Sequence, residues 1–297
     1  MNIKNVTVAG SGVLGSQIAF QTAFFGFNVS VYDINDEVLE KAKERFKALK
    51  PRYQQDLGAT QEEVEAAYNR LTLFSDLRQA VKDADLVIEA VPEVINIKNE
   101  FYENLSAVAP KKTIFASNSS TMIPSQLAHV TDRPEKYLHL HFANEIWHRN
   151  TAEIMKHEGT NEEVFNDVVE FSKAIGMVAL PMHKEQHGYI LNSLLVPYIQ
   201  AAENLVVNGI ADHETVDKTW MIATGAPIGP FAFLDVIGIN TPYNLALAKA
   251  QEGDVNAEKV AEFLKKEFID KGRLGIQNGK GFYDYPNPKF LEKDFLK

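Results

Sequence analysis

The sequence predicts an α/β protein: a doubly wound domain carrying a helical hairpin insertion, followed by an all-α domain. Three observations predict it. A short apolar strand at residues 6–9 runs into Gly10-Ser11-Gly12-Val13-Leu14-Gly15 and then a helical pattern. Strands alternate with helical stretches as far as residue 182. Beyond residue 184 the hydrophobic period is helical, with 282–285 as the one exception. The expected domains are therefore 1–184 and 185–297.

Composition bounds the function. A chain of 297 residues is long enough for two cores. Lys plus Arg number 30 against 40 Asp plus Glu, a formal charge of −10, which argues against nucleic acid or an anionic membrane surface as partner. The absence of cysteine excludes disulfides, thiolate zinc sites and cysteine nucleophiles. No apolar run is long enough to span a bilayer, and MNIKNVTVAGSG enters a strand directly, so a cytosolic protein is expected.

In order, the first helix runs through Ile18, Ala19, Ala23 and Phe24 and closes at Gly26; a second strand, 29–32, ends at Asp33. Strand, GxGxxG, helix, strand and acid together form the dinucleotide fingerprint of a Rossmann domain. Its glycines allow a tight turn, close approach to a pyrophosphate and helix-on-sheet packing, and the pyrophosphate rests on the helix N-terminus. Asp33 can accept hydrogen bonds from ribose hydroxyls and would repel a 2′-phosphate, and residues 34–37 carry no cation, so the expected cofactor is NAD rather than NADP.

Residues 36–70 read as a helical pair, with Pro51 breaking the first helix near its end and a Thr60/Glu63 capping box opening the second. Lys41, Lys43, Arg45, Lys47, Lys50 and Arg52 make the first helix a solvated charged face or a landing site for an anionic substrate tail, with Lys47 and Lys50 as candidate contacts. Strands follow at 71–74, 86–90 and 113–116, with helices near 75–82 and 95–108 between them. Ligands of such sheets bind at the carboxyl ends of the strands, where Glu93, Lys98 and Ser117-Asn118-Ser119-Ser120 fall.

Residues 137–142 alternate as a strand, with Tyr137, His139 and His141 on one face, and Glu153 lies in the apolar run after the next loop. A histidine at a strand mouth with a carboxylate nearby is the requirement for a general base and its orienting partner. A Thr160/Glu163 capping box opens a helix ending at Gly176, and 177–182 is a last strand. Helices are expected at 190–207, 213–223, 242–250 and 257–271, with a short strand at 282–285.

Taken together, GSGVLG with Asp33, AVPEVINIKNEF, SNSST, HFAN with Glu153, GYILNSLLVPY, GAPIGPFAFLDVIG and GRLGIQNGKGFYDY resemble the short-chain L-3-hydroxyacyl-CoA dehydrogenases, including the 3-hydroxybutyryl-CoA enzymes, over essentially the whole chain. The resemblance implies NAD-dependent interconversion of an L-3-hydroxyacyl-CoA and its 3-oxo form, with His141 as catalytic base, Glu153 its partner, and Ser120 and Asn192 at the reacting oxygen. It implies cofactor contacts at Gly10, Ser11, Gly12, Val13, Leu14, Gly15, Asp33, Glu93, Lys98, Asn118 and Asn144, and a homodimer formed through the helical domain.

The chain departs from the family pattern after His141-Phe142, where Ala143-Asn144-Glu145-Ile146-Trp147-His148-Arg149 replaces a proline-containing run, and at Gln277, where many relatives have lysine. Arg149 could pair with a substrate carboxylate. Two alternatives follow: a dehydrogenase of a free hydroxy acid, of the carnitine or gulonate type, or an NAD-binding scaffold that has lost the reaction. Retention of His141, Glu153, Ser120 and Asn192 speaks against the scaffold.

Overall fold

The computed structural model describes residues 2–297 and divides into two compact units, one ending at Ile190 and the other running from Leu191 to Lys297. The first unit is built on an eight-stranded sheet. Its strands are β1 (Asn5–Ala9), β2 (Asn28–Tyr32), β3 (Leu71–Phe74), β4 (Leu86–Glu89), β5 (Ile114–Ser117), β6 (Tyr137–Phe142), β7 (Thr151–Met155) and β8 (Val178–Met182), in the order β3-β2-β1-β4-β5-β6-β7-β8. Every neighbouring pair is parallel except β6 and β7, which run antiparallel with His141 directly opposite Glu153.

The parallel strands β1, β4 and β5 are almost wholly buried because helices cover both faces. On one face, α1 (Val13–Phe24), α2 (Asp36–Leu57) and α7 (Glu162–Ala174) contribute Ile18, Phe20, Phe46, Tyr53 and Phe171 to the main core, and α3 (Gln61–Asn69) completes the hairpin with α2. On the other face, α4 (Leu77–Val81), α5 (Ile95–Val108) and α6 (Ser125–Ala128) bury Val81, Phe101, Tyr102, Leu105 and Leu127.

Three expectations need correction. Pro51 does not end its helix: α2 continues to Leu57, where Gly58 takes the left-handed stop, and buried Phe46, Leu49 and Tyr53 hold the turns either side of the lost N–H. The cap of α7 is Asn161, whose side chain accepts from the N–H groups of Glu163 and Val164, while the Thr160 hydroxyl turns back to Tyr137 O. No strand forms at 282–285, where only isolated bridges join Lys280 to Gly275 and Asp284. Tyr189 and Ile190 close the first unit, hydrogen-bonded to Ser119 and Glu153 within it.

The second unit comprises α8 (Leu191–Val207), α9 (His213–Thr224), α10 (Pro230–Ile237), α11 (Asn240–Gln251) and α12 (Val255–Glu267) around Ile199, Phe231, Leu234, Leu264 and Phe282. Two buried carboxylates order its glycine-rich segments. Asp217 accepts from the N–H groups of Phe231 and Ala232 at the start of α10, and Asp235 accepts from those of Phe282 and Tyr283.

Candidate active site

The glycine-rich turn joins β1 to α1 beside the carboxyl end of β4. Gly10 has φ +97°, and a Cβ there would strike the Ala90 carbonyl; a Cβ on Gly15 would strike Gly10 O. Gly12 has open space where its side chain would be, and it stands at the N-cap of α1 with no side chain capping the helix. The free N–H groups of the first turn therefore face a groove of about 210 Å³, lined by Gly12, Leu14, Ala90, Glu93, Asn118 and Ser120 among others. Turn, uncapped helix end and groove fit a dinucleotide pyrophosphate.

Asp33 sits at the end of β2 as the fingerprint requires. Its Oδ2 accepts from Ser11 N–H (2.7 Å) and Ser11 Oγ–H (2.6 Å), its Oδ1 from Ile34 N–H. Arg45 of α2 donates to Ser11 O at 3.1 Å, which braces the turn from outside.

Glu93, at the surface, and Lys98, buried beneath it, belong to one charged network. Lys98 is 1 % exposed and its Nζ reaches Glu89 Oε1 (2.6 Å), Glu93 Oε2 (3.1 Å) and Val91 O (3.3 Å). Glu93 Oε1 gathers the Ser119 hydroxyl, the Ser120 and Thr121 N–H groups and the Thr121 hydroxyl. Burial works against its charge, but the Ser119 hydroxyl, the Lys98 ammonium and Thr121 outweigh burial and hold its carboxyl at about 2. Glu93 thus shapes the turn that carries Ser120. Asn118 accepts from Phe142 N–H (2.9 Å), locking the ends of β5 and β6 together.

At the end of β6, His141 Nδ1 lies 3.0 Å from Glu153 Oε2. A carboxylate can only accept, so Nδ1 carries the proton and Nε2 presents its lone pair, 3.1 Å from Ser120 Oγ. Glu153 Oε1 is held by Ile190 N–H at 2.9 Å. His141 and Glu153 are both buried, at 7 % and 4 % exposure. The arrangement can take a proton at Nε2 and compensate the resulting positive charge at Nδ1.

Not every expected residue gathers here. Asn144 is exposed beyond the strand. Asn192 belongs to the second unit, where it stands in the first turn of α8 and lines a cavity of about 210 Å³ with Glu203. Lys47 pairs with Glu44 and Lys50 with Glu65, and the Lys50 ammonium also lies over the Tyr68 ring. Arg149 is half exposed and 3.8 Å from Glu145 Oε2. Trp147 is buried, donates from Nε1 to Asp56 (2.8 Å) and packs on Tyr53, while Arg52 lies over its ring and pairs with Glu145. The departing loop is therefore pinned to α2. Gln277 donates to Leu274 O in the second unit.

Sequence reasoning missed Glu89, His139 and Tyr189. An acid ending an otherwise apolar strand was the available signal for Glu89, and adjacent Gly188 obscured Tyr189 as part of a turn.

Residues 5–186 match the family described as 3-hydroxyacyl-CoA dehydrogenase, NAD binding domain, and residues 188–285 its C-terminal domain. A probable 3-hydroxybutyryl-CoA dehydrogenase of Bacillus subtilis is 33% identical, over 96% of this chain and 98% of its own. A diketoreductase, whose structure is described under substrate-directed dual catalysis of dicarbonyl compounds, is 52% identical with a TM-score of 0.93, over 96% of this chain and all of its own. The (S)-3-hydroxybutyryl-CoA dehydrogenase of Ralstonia eutropha is 26% identical with a TM-score of 0.83, over 96% and 100%. With its fingerprint turn and both domains matched, the chain belongs to the 3-hydroxyacyl-CoA dehydrogenase family of NAD-dependent oxidoreductases.

Proposed function

We propose that the chain interconverts an L-3-hydroxyacyl-CoA and the corresponding 3-oxoacyl-CoA, with His141 as the general base. The observation that carries this reading is the order Ser120 Oγ, His141 Nε2, His141 Nδ1, Glu153 Oε2, at 3.1 and 3.0 Å, beside the dinucleotide groove. When bound, NAD supplies a nicotinamide ring that accepts hydride. His141 takes the hydroxyl proton at Nε2, and Glu153 stabilises the imidazolium through Nδ1. Ser120 donates to the oxygen as it becomes a carbonyl, and on the family pattern Asn192 joins it. In reduction, His141 returns the proton to that oxygen.

His141→Gln keeps bulk and hydrogen bonding but cannot cycle a proton. We expect turnover to fall by about 10²–10⁴ with NADH affinity retained. An unchanged turnover number would remove His141 from the mechanism.

A second reading has specific support: a substrate without CoA, either a free 3-hydroxy acid or another dicarbonyl compound. Lys47 and Lys50 are each committed to a glutamate, and the 52% identical protein is a diketoreductase. NADH oxidation against acetoacetyl-CoA, longer 3-oxoacyl-CoAs, free 3-oxo acids and diketo esters separates the two. The first reading requires the thioesters to have the highest kcat/KM. Arg149→Ala should then match the parent; a loss confined to carboxylate substrates would assign Arg149 to the second reading. The protein is proposed to act as a homodimer, a reading supported by exposed Leu191, Leu194, Leu205, Trp220 and Ile222 on α8 and α9.

A further inference from the structure

Tyr189 is fully buried and holds φ +54°, a left-handed conformation that a tyrosine adopts only when its surroundings fix it. Those surroundings are specific. Its ring lies against the His141 imidazole, with centroids 4.3 Å apart and planes 17° from parallel. Its hydroxyl donates to Ser119 O at 2.5 Å, the carbonyl immediately before Ser120. The hydroxyl's one proton being spent there, its lone pair must receive the proton of His139 Nδ1 at 2.9 Å, and His139 Nε2 then accepts from the Tyr137 hydroxyl at 3.1 Å. Burial holds His139 at about 3, so it is neutral and this tautomer is fixed. The next residue, Ile190, gives its N–H to Glu153 Oε1.

One side chain and its neighbouring amide thus touch every protein group of the base in the first unit: the ring of His141, the turn carrying Ser120, and the second oxygen of Glu153. We infer that Tyr189, locked by His139, is the positioning residue of this centre, setting the plane in which His141 Nε2 and Glu153 are aligned. The inference rests on the proposed role of His141. It assigns His139 a supporting task distinct from acid–base chemistry, since both its nitrogens are engaged by tyrosines.

The test compares Tyr189→Leu, which removes the flat ring, with Tyr189→Phe, which keeps the ring and loses the hydroxyl. We expect Tyr189→Leu to lose about 10² in kcat, as misplacement of a catalytic group by about 1 Å does, with the KM for NADH unchanged. Tyr189→Phe should recover at least tenfold of that loss (about 1.4 kcal/mol in barrier). A side chain that merely filled space would show neither the split between kcat and KM nor rescue by the aromatic ring. A Tyr189→Leu turnover within about threefold of the parent, or a Tyr189→Phe as impaired as Tyr189→Leu, overturns the inference.

NMR supplies the arm independent of turnover. The Tyr189 ring must shift the His141 Cε1–H upfield in the parent and in Tyr189→Phe, and an ordinary position in either refutes the stack. This arm decides the matter if Tyr189→Leu does not fold. It also reads out when the parent turns over none of the 3-oxo substrates, an outcome that defeats the proposed function but not the positioning.

Discussion

Lys98 shows how one buried cation sets the geometry of a neighbouring turn. Its ammonium lies between Glu89 and Glu93, with Glu89 completely buried and also receiving the Ser117 and Tyr102 hydroxyls. Replacing Lys98 by Met would leave the Glu89 carboxylate without its counter-charge in the interior. Such a deletion costs about 3–5 kcal/mol, far more than an exposed pair, because the remaining charge has no water to turn to. We expect Lys98→Met to lower the urea midpoint on that scale, and Glu89→Leu added to it to restore much of the loss, since the unpaired charge is then gone. Additive destabilisation in the double variant would show that the two side chains are not coupled. Glu93 would stay tied to Ser119, Ser120 and Thr121 in both variants, so the turn carrying Ser120 should survive.

At the scale of elements, the legible features were those written locally. The GxGxxG turn, the alternation to β8 and the Thr60/Glu63 capping box are each written in short stretches of sequence, Asp33 follows at the end of the very next strand, and the structure has them all. Elements governed by distant partners were not legible. Pro51 reads as a breaker, yet α2 passes through it because Phe46 and Tyr53 anchor both sides in the core. The segment from Pro230 to Ile237 is not among the expected helices, yet it is one, with Asp217, fourteen residues upstream of Phe231, accepting from the N–H groups of its first turn. Likewise His141 and Glu153 could be paired by chemistry, but their facing register needed the β6–β7 antiparallel pairing. The charge of α2 is local again: each of Lys41, Lys43 and Lys47 finds a glutamate three or four residues back on the same helix. Glu203 on α8 gives an element-scale prediction. Its Oε1 has no hydrogen-bond partner, and burial pushes its carboxyl up to about 8 from an ordinary 4.5, with Lys249 opposing only in part. Between those values the unfolded chain releases this proton while the fold keeps it. The folded state then binds more protons, so this group's contribution to stability falls as pH rises through the window. Glu203→Gln removes the titration; its Tm should exceed the parent's above about pH 8, and the difference should shrink toward about pH 4–5. A pH-independent difference would show that Glu203 keeps the same charge folded and unfolded.

For the whole molecule, the division at Ile190 separates two kinds of surface. The first unit holds the glycine turn, Asp33, the Glu89–Lys98–Glu93 network and the His141–Glu153 pair, so every group proposed to bind the dinucleotide or move the proton lies within it. The second holds Asn192 and the exposed apolar side chains of α8 and α9, which a lone soluble monomer would leave in contact with water. If that division is one of labour, the two properties should separate when the chain is cut. A fragment ending at Ile190 retains the amide that holds Glu153 Oε1, so its site is not frayed by the truncation. We expect that fragment to bind NADH with an affinity comparable to the full chain in a fluorescence titration, to be monomeric by light scattering, and to have no turnover, while the full chain scatters as a dimer. A dimeric fragment would place the association surface in the first unit, and a monomeric full chain would remove the dimer altogether. Loss of NADH binding from a fragment that still melts cooperatively would mean that the helical unit contributes to the cofactor site, and the glycine turn and Asp33 would no longer suffice to explain it.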